Sequence, residues 1–133
     1  RGMTANAFLS GSLAPPLCVV SVALKAHMHR HLLEARDYAI NFLAEDQKAL
    51  AAHFAGSGDP SLSVPFEPIG AVPTLADAHA RIIARLEATY PCGDHTLFVG
   101  RIRYMGADDR PPLLYHRGRY KQLGPALADD TRE

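Results

Sequence analysis

The sequence carries no charge imbalance: 14 lysines and arginines face 14 aspartates and glutamates across 133 residues. That removes the electrostatic reason to expect a nucleic-acid partner. There is no run of about 18 apolar residues, and no charged leader followed by an apolar stretch. Neither a membrane span nor an export signal is therefore expected, and the cytoplasm is the expected compartment. There are only two cysteines, Cys18 and Cys92. They lie far apart and outside any C-x-x-C spacing, so a disulfide framework and a zinc knuckle are both excluded and two structural thiols are expected.

What is present is an ordinary globular composition, 47% hydrophobic and 21% charged, at a length that suits one domain. The chain opens at Arg1 and reads from its first residues as the middle of something, so a preceding segment is expected. The periodicity is mostly two. From His79 to Tyr90, alternation places Ala80, Ile82, Ala84, Leu86, Ala88 and Tyr90 on one face and His79, Arg81, Arg85, Glu87 and Thr89 on the other, a long half-buried strand. Pro91 to Asp94 reads as a turn, and Thr96 to Tyr104 as the second strand of a hairpin, with Gly100 marking a bulge or a close backbone approach. Leu17–Leu24, Tyr38–Leu43 and Leu113–Tyr120 read as further strands.

Two helices are expected. Over residues 27–36, Met28, Leu32 and Ala35 form a stripe. In AEDQKALAAHFAG, Asp46, Leu50 and Phe54 fall at i, i+4, i+8, with acids in the first turn and Gly56 as a stop. Ser57 to Thr74, rich in proline and glycine, reads as one long loop, and Gly124–Glu133 as a flexible, frayed tail. His27 and His31 in AHMHRH have a spacing that chelates zinc, but no acid completes an H-E-x-x-H pattern and no cysteine lies near; a solvated helix face is the reading, and no metal is expected. The opening run GMTANAFLSGSLAPP is rich in hydroxyls and small residues and nearly free of charge. By itself it is an ordinary strand-to-loop segment.

Taken in order, GMTANAF, SGSLAPP, KAHM from Lys25, YAINFLAEDQKAL with HFAG after it, GDHTLFVG from Gly93, and LLYHRGRY resemble the flavin reductase domain family, over residues 1–123. These are NAD(P)H:flavin oxidoreductases that supply reduced flavin to two-component monooxygenases. The resemblance implies a mainly β fold, an FMN-binding split β-barrel of Greek-key type with short flanking helices. It also implies a homodimer with flavin near the subunit interface, FMN or FAD as the flavin, NADH (with NADPH second) as co-substrate, and an oxygenase that receives the reduced flavin. Family members carry a helix and a strand ahead of the opening block, and these are expected to be missing here.

Flavin chemistry belongs to the ring, so such a protein needs a flat slot and hydrogen bonds to ring edges and phosphate rather than a nucleophile. The resemblance places Thr4, Ala5, Asn6 and Ala7 along the ring and ribityl chain, and Ser10, Ser12 and Leu13 on the pyrimidine or phosphate side. Lys25 and Ala26 would meet the phosphate, an ammonium followed by a helix N-terminus. Phe54, Ala55 and Gly56 would close the far end. Many relatives have Val where this chain has Gly11, and many have Ser or Thr near Ala26; the second departure removes a hydroxyl from the phosphate side and favours flavin as a diffusing substrate. From spacing alone His95 is a solvated turn histidine; by resemblance it lies beside the nicotinamide and positions it. Tyr115 and Tyr120 would stack on the ring or dinucleotide, and Arg117 and Arg119 would meet dinucleotide phosphates. The competing readings are a non-catalytic split-barrel protein that binds flavin or haem, and an inactive fragment that associates through exposed edges.

Overall fold

The computed structural model describes residues 1–128. In chain order it contains β1 (Phe8–Leu13), β2 (Pro16–Ala23), α1 (His27–Ala35), β3 (Asp37–Phe42), α2 (Lys48–Phe54), β4 (Phe66–Ile69), β5 (Val72–Leu75), β6 (Ala80–Cys92), β7 (His95–Ala107), β8 (Leu113–His116) and β9 (Arg119–Gln122). The fold is mainly β, with the two expected helices. The expected frayed tail lies partly outside the described residues, at 129–133.

Five strands form one antiparallel sheet in the order β1-β2-β7-β6-β3. The chain leaves β2 for the opposite edge and then fills the middle with the β6–β7 hairpin, which is Greek-key order. β1 and β3 are the two edges, yet the rings of Phe8 and Phe42 meet edge to face at 5.0 Å. The sheet has therefore rolled until its edges touch through side chains rather than through a hydrogen-bonded ladder, which is a split barrel. Alternation sends Cys18 and Val22 of β2 and Phe98 of β7 inward, where Leu32 of α1, Tyr38 of β3, and Ile82, Ala84 and Leu86 of β6 meet them.

Gly100 lies inside this core for a steric reason. A Cβ there would collide with the Tyr38 hydroxyl and come within 2.9 Å of the Ala84 Cβ. It is a close approach, and the two irregularities of the β6–β7 ladder fall elsewhere, between Ile83 and Ala84 and between Leu86 and Ala88.

The second irregularity corrects the face assigned to β6. Glu87 is the extra residue, so the alternation changes phase after Leu86. Ala88 and Tyr90 pair with the outward-facing Val99 and Leu97, and Tyr90 is 56% exposed. The turn is also tighter than Pro91–Asp94, because Cys92 pairs with His95 and only Gly93 and Asp94 link them.

Other boundaries differ too. The expected long loop contains the β4–β5 hairpin, closed at Gly70–Ala71. Leu113–Tyr120 is not one strand but part of a hairpin, because Arg117 and Gly118 both take positive φ (53° and 76°), the backbone of a two-residue type I′ turn. Helix α2 starts at Lys48, leaving Asp46 outside it. The chain there is held by Gln47, whose buried side chain accepts from the Ala44 N–H at 3.0 Å and donates to the Ala76 carbonyl at 2.9 Å. Ala35, the last residue of α1, is exposed rather than part of the buried stripe.

Candidate functional site

The end of β2, the start of β7 and the start of α1 converge. Ala23 pairs with His95, the Leu24 N–H donates to the Asp94 carbonyl at 3.0 Å, and the Ala26 N–H closes a turn onto the Ala23 carbonyl at 3.0 Å. Lys25 is exposed in that turn. No side chain caps α1 at Ala26, so the first-turn N–H groups of the helix keep no side-chain acceptor and directly follow the lysine ammonium.

His95 is the first residue of β7 rather than a turn residue. Its Nδ1 stands 2.7 Å from Asp94 Oδ1, so the exposed carboxylate accepts a hydrogen bond and the ring's Nε2 is left free. That hydrogen bond holds the Asp94 carboxyl below its ordinary pKa. Along β7 the buried residues are Thr96, Phe98 and Gly100, and His95, Leu97 and Val99 alternate with them on the outer face.

The opening run approaches the same end. The Ser21 N–H donates to the Ala7 carbonyl at 3.1 Å, so the run enters β1 alongside the last residues of β2. Thr4 is tied down: its N–H donates to the Phe54 carbonyl at 3.1 Å and its hydroxyl to the Ala51 carbonyl at 2.7 Å. Gly2 fits because a Cβ there would sit 2.9 Å from the Phe54 ring. Ala5, Asn6 and Ala7 are the exposed members of the run, and Ala55 and Gly56 are exposed beyond Phe54. The structure thus joins Thr4–Ala7 to Phe54–Gly56 and brings Lys25 and Ala26 to His95.

Ser10, Ser12 and Leu13 lead away along β1, with Ser12 half-buried and Leu13 89% exposed. Tyr115 and Tyr120 are a cross-strand pair with rings 5.0 Å apart. With Arg117 and Arg119 they occupy a separate hairpin, attached where the Leu113 N–H donates to the Leu43 carbonyl at 2.8 Å and the Glu45 N–H to the Pro111 carbonyl at 2.9 Å.

One contact near this end has no counterpart in any local sequence pattern. His29, from the AHMHRH run, turns inward, with its Nε2 2.8 Å from the Thr96 hydroxyl and its ring edge-on to Phe98 at 5.1 Å. Among the described residues, no three His, Cys, Asp or Glu side chains converge as metal ligands would.

The residue types fit a phosphate-bearing, planar ligand: a lysine, an uncapped helix end, a wall of small residues, and a histidine with one free nitrogen. Comparison with known proteins points the same way. A NADH-dependent flavin reductase of a Rhodococcus species is 41% identical over 123 residues, covering 92% of this chain and 70% of that protein. The reductase component of 4-hydroxyphenylacetate 3-monooxygenase from Thermus thermophilus is 38% identical over 124 residues, covering 92% of this chain and 79% of that protein. Among solved structures, the flavin reductase PheA2 in its native state matches with a TM-score of 0.89 at 41% identity, over 92% of this chain and 80% of that one. The flavin reductase like domain matches residues 1–124, and the chain belongs to that family.

Proposed function

We propose that this chain is an NADH-dependent flavin reductase, which passes a hydride from NADH to FMN or FAD and releases the reduced flavin to an oxygenase component. The observation that carries the reading is the pairing of Ala23 with His95, which sets the Lys25 turn and the uncapped start of α1 beside the histidine. Bound flavin supplies the ring that accepts the hydride. Lys25 and the first N–H groups of α1 hold its phosphate. Ala5, Asn6 and Ala7 offer a low wall for the ring, and Thr4 fixes that wall to Phe54, with Ala55 and Gly56 closing its far end. Ser10, Ser12 and Leu13 continue the edge along β1.

His95 acts by alignment. Asp94 holds Nδ1, so Nε2 is directed to the nicotinamide carboxamide, and no proton needs to move at this residue for hydride transfer. Tyr115, Tyr120, Arg117 and Arg119 enter through a homodimer, in which the β8–β9 hairpin of one subunit reaches the other. Support for a dimer comes from the barrel's outer face. Leu9, Val19, Val99 and Ala88 form one cross-strand row, and Ser21, Leu97 and Tyr90 the next. The ion pairs Arg101–Glu87 (2.9 Å) and Arg85–Asp37 (3.0 Å) border them, an apolar patch with a polar rim.

The test is NADH oxidation by purified protein with FMN, FAD or riboflavin added. Turnover that requires added flavin and falls in His95→Ala supports the reductase. Flavin fluorescence quenched by the protein without NADH oxidation would identify a binding protein instead.

A further inference from the structure

The turn that carries Lys25 is closed on three consecutive residues of β7 and its turn. Leu24 donates to the Asp94 carbonyl, Ala23 pairs with His95, and His29, one turn into α1, shares a hydrogen bond with the hydroxyl of Thr96 at 2.8 Å. The histidine proposed to align the nicotinamide is the middle residue of that triplet.

The first two links are made by backbone at the base of the turn, and Leu32 with the Leu86–Arg36 backbone hydrogen bond anchors the far end of the helix. The His29–Thr96 link is different: it ties the first turn of the helix directly to β7. Thr96 is 9% exposed, so water competes little for its hydroxyl. Phe98, two residues along the same face of β7, packs against the His29 ring, edge-on at 5.1 Å. The Ala26 carbonyl accepts from the His29 N–H at 3.1 Å, which makes the first helical turn one rigid piece from Ala26 to His29.

We infer that His29 and Thr96 are positioning residues that set the spacing between the phosphate-binding start of α1 and His95. The inference rests on the phosphate reading of Lys25. Its consequence is selective. A flavin with a phosphate is held at two points, one at α1 and one at the ring, so an error in their spacing misaligns the ring against the nicotinamide. Riboflavin has no phosphate and is indifferent to where α1 sits.

The experiment compares kcat/KM for FMN and for riboflavin in NADH oxidation, in the wild type, Lys25→Ala, Thr96→Val, Thr96→Ser and His29→Leu. Thr96→Val keeps the shape and removes the hydroxyl, and Thr96→Ser retains it. The expected result is that Lys25→Ala and Thr96→Val both lower the FMN-to-riboflavin ratio, Thr96→Val by about tenfold, the effect of one lost hydrogen bond. Thr96→Ser keeps the wild-type ratio. Should Thr96→Val fail to fold, His29→Leu, which removes the ring nitrogen, gives the same readout. The tether is overturned if Lys25→Ala lowers the ratio while Thr96→Val and His29→Leu leave it unchanged or slow both flavins equally, since that is a structural role alone. A ratio unchanged in Lys25→Ala overturns the phosphate reading itself, and the tether with it.

Discussion

Gly100 shows how tightly individual residues set this barrel. The place its Cβ would take is filled by the Tyr38 hydroxyl, so Gly100→Ala is expected to lower stability by about 1–3 kcal/mol, measured by denaturant unfolding. The Tyr38 hydroxyl itself contributes little. It is buried beside the Cys18 thiol, which is too weak a partner to satisfy it, and burial pushes the pKa of both groups up. Tyr38→Phe should therefore fall within about 1 kcal/mol of the wild type or above it, and should soften the Gly100→Ala defect when the two are combined.

Asp94 is the residue where pH enters. Its carboxyl is held below the ordinary value of about 4 by the hydrogen bond from His95. A carboxyl lowered in the folded state adds stability that is present above its ordinary value and disappears as pH falls through the lowered one. The stability difference between wild type and Asp94→Asn is expected at neutral pH, should begin to shrink at about pH 4 and should vanish only below the lowered value. The carboxylate is fully exposed, so the difference is small.

Among elements, the long hairpin is the most legible from sequence, because a dozen alternating residues suit a half-buried strand and put no continuous apolar stripe on a helix. The pattern misleads only beyond Leu86, where one extra residue, Glu87, reverses the phase, and no residue type announces that. The β8–β9 hairpin is hidden for a related reason: Arg117 takes a left-handed conformation that usually marks Asn or Gly, so R-G does not read as a turn.

The start of α2 is misplaced by sequence pattern because acids in a first turn are a generic signal, whereas the element is fixed by a long-range contact from Gln47. Gln47→Ala strands the Ala44 N–H and the Ala76 carbonyl. We expect a loss of about 2–3 kcal/mol and a lower Tm by calorimetry, where an unchanged Tm would remove Gln47 from this role. At the site the same division holds. Lys25, Ala26 and His95 are found through the family resemblance, and the structure brings them together. The His29–Thr96 link joins residues 67 apart in sequence, and no local pattern carries it.

At the scale of the whole molecule, the barrel keeps its core inside and an apolar patch outside. A single copy leaves Leu9 and Tyr90 more than half exposed on that patch. Val99→Glu places a charge in the middle of it without touching the core, because Val99 alternates with the buried Phe98 and Gly100. In sedimentation velocity the wild type should run as a dimer, and the variant should dissociate with a Kd weakened by at least about thirtyfold. A monomeric wild type would contradict the assembly and leave the site to one subunit.

Movement of a hydride from NADH to flavin on this chain is tested most directly without oxygen. Protein, FMN and an equal amount of NADH are mixed anaerobically, and the visible absorbance of the oxidised flavin is followed in the wild type and in His95→Ala. Bleaching in step with loss of NADH is expected, with slowing in the variant by about tenfold or more at unchanged flavin binding. Flavin that binds and keeps its colour in the presence of NADH would contradict it.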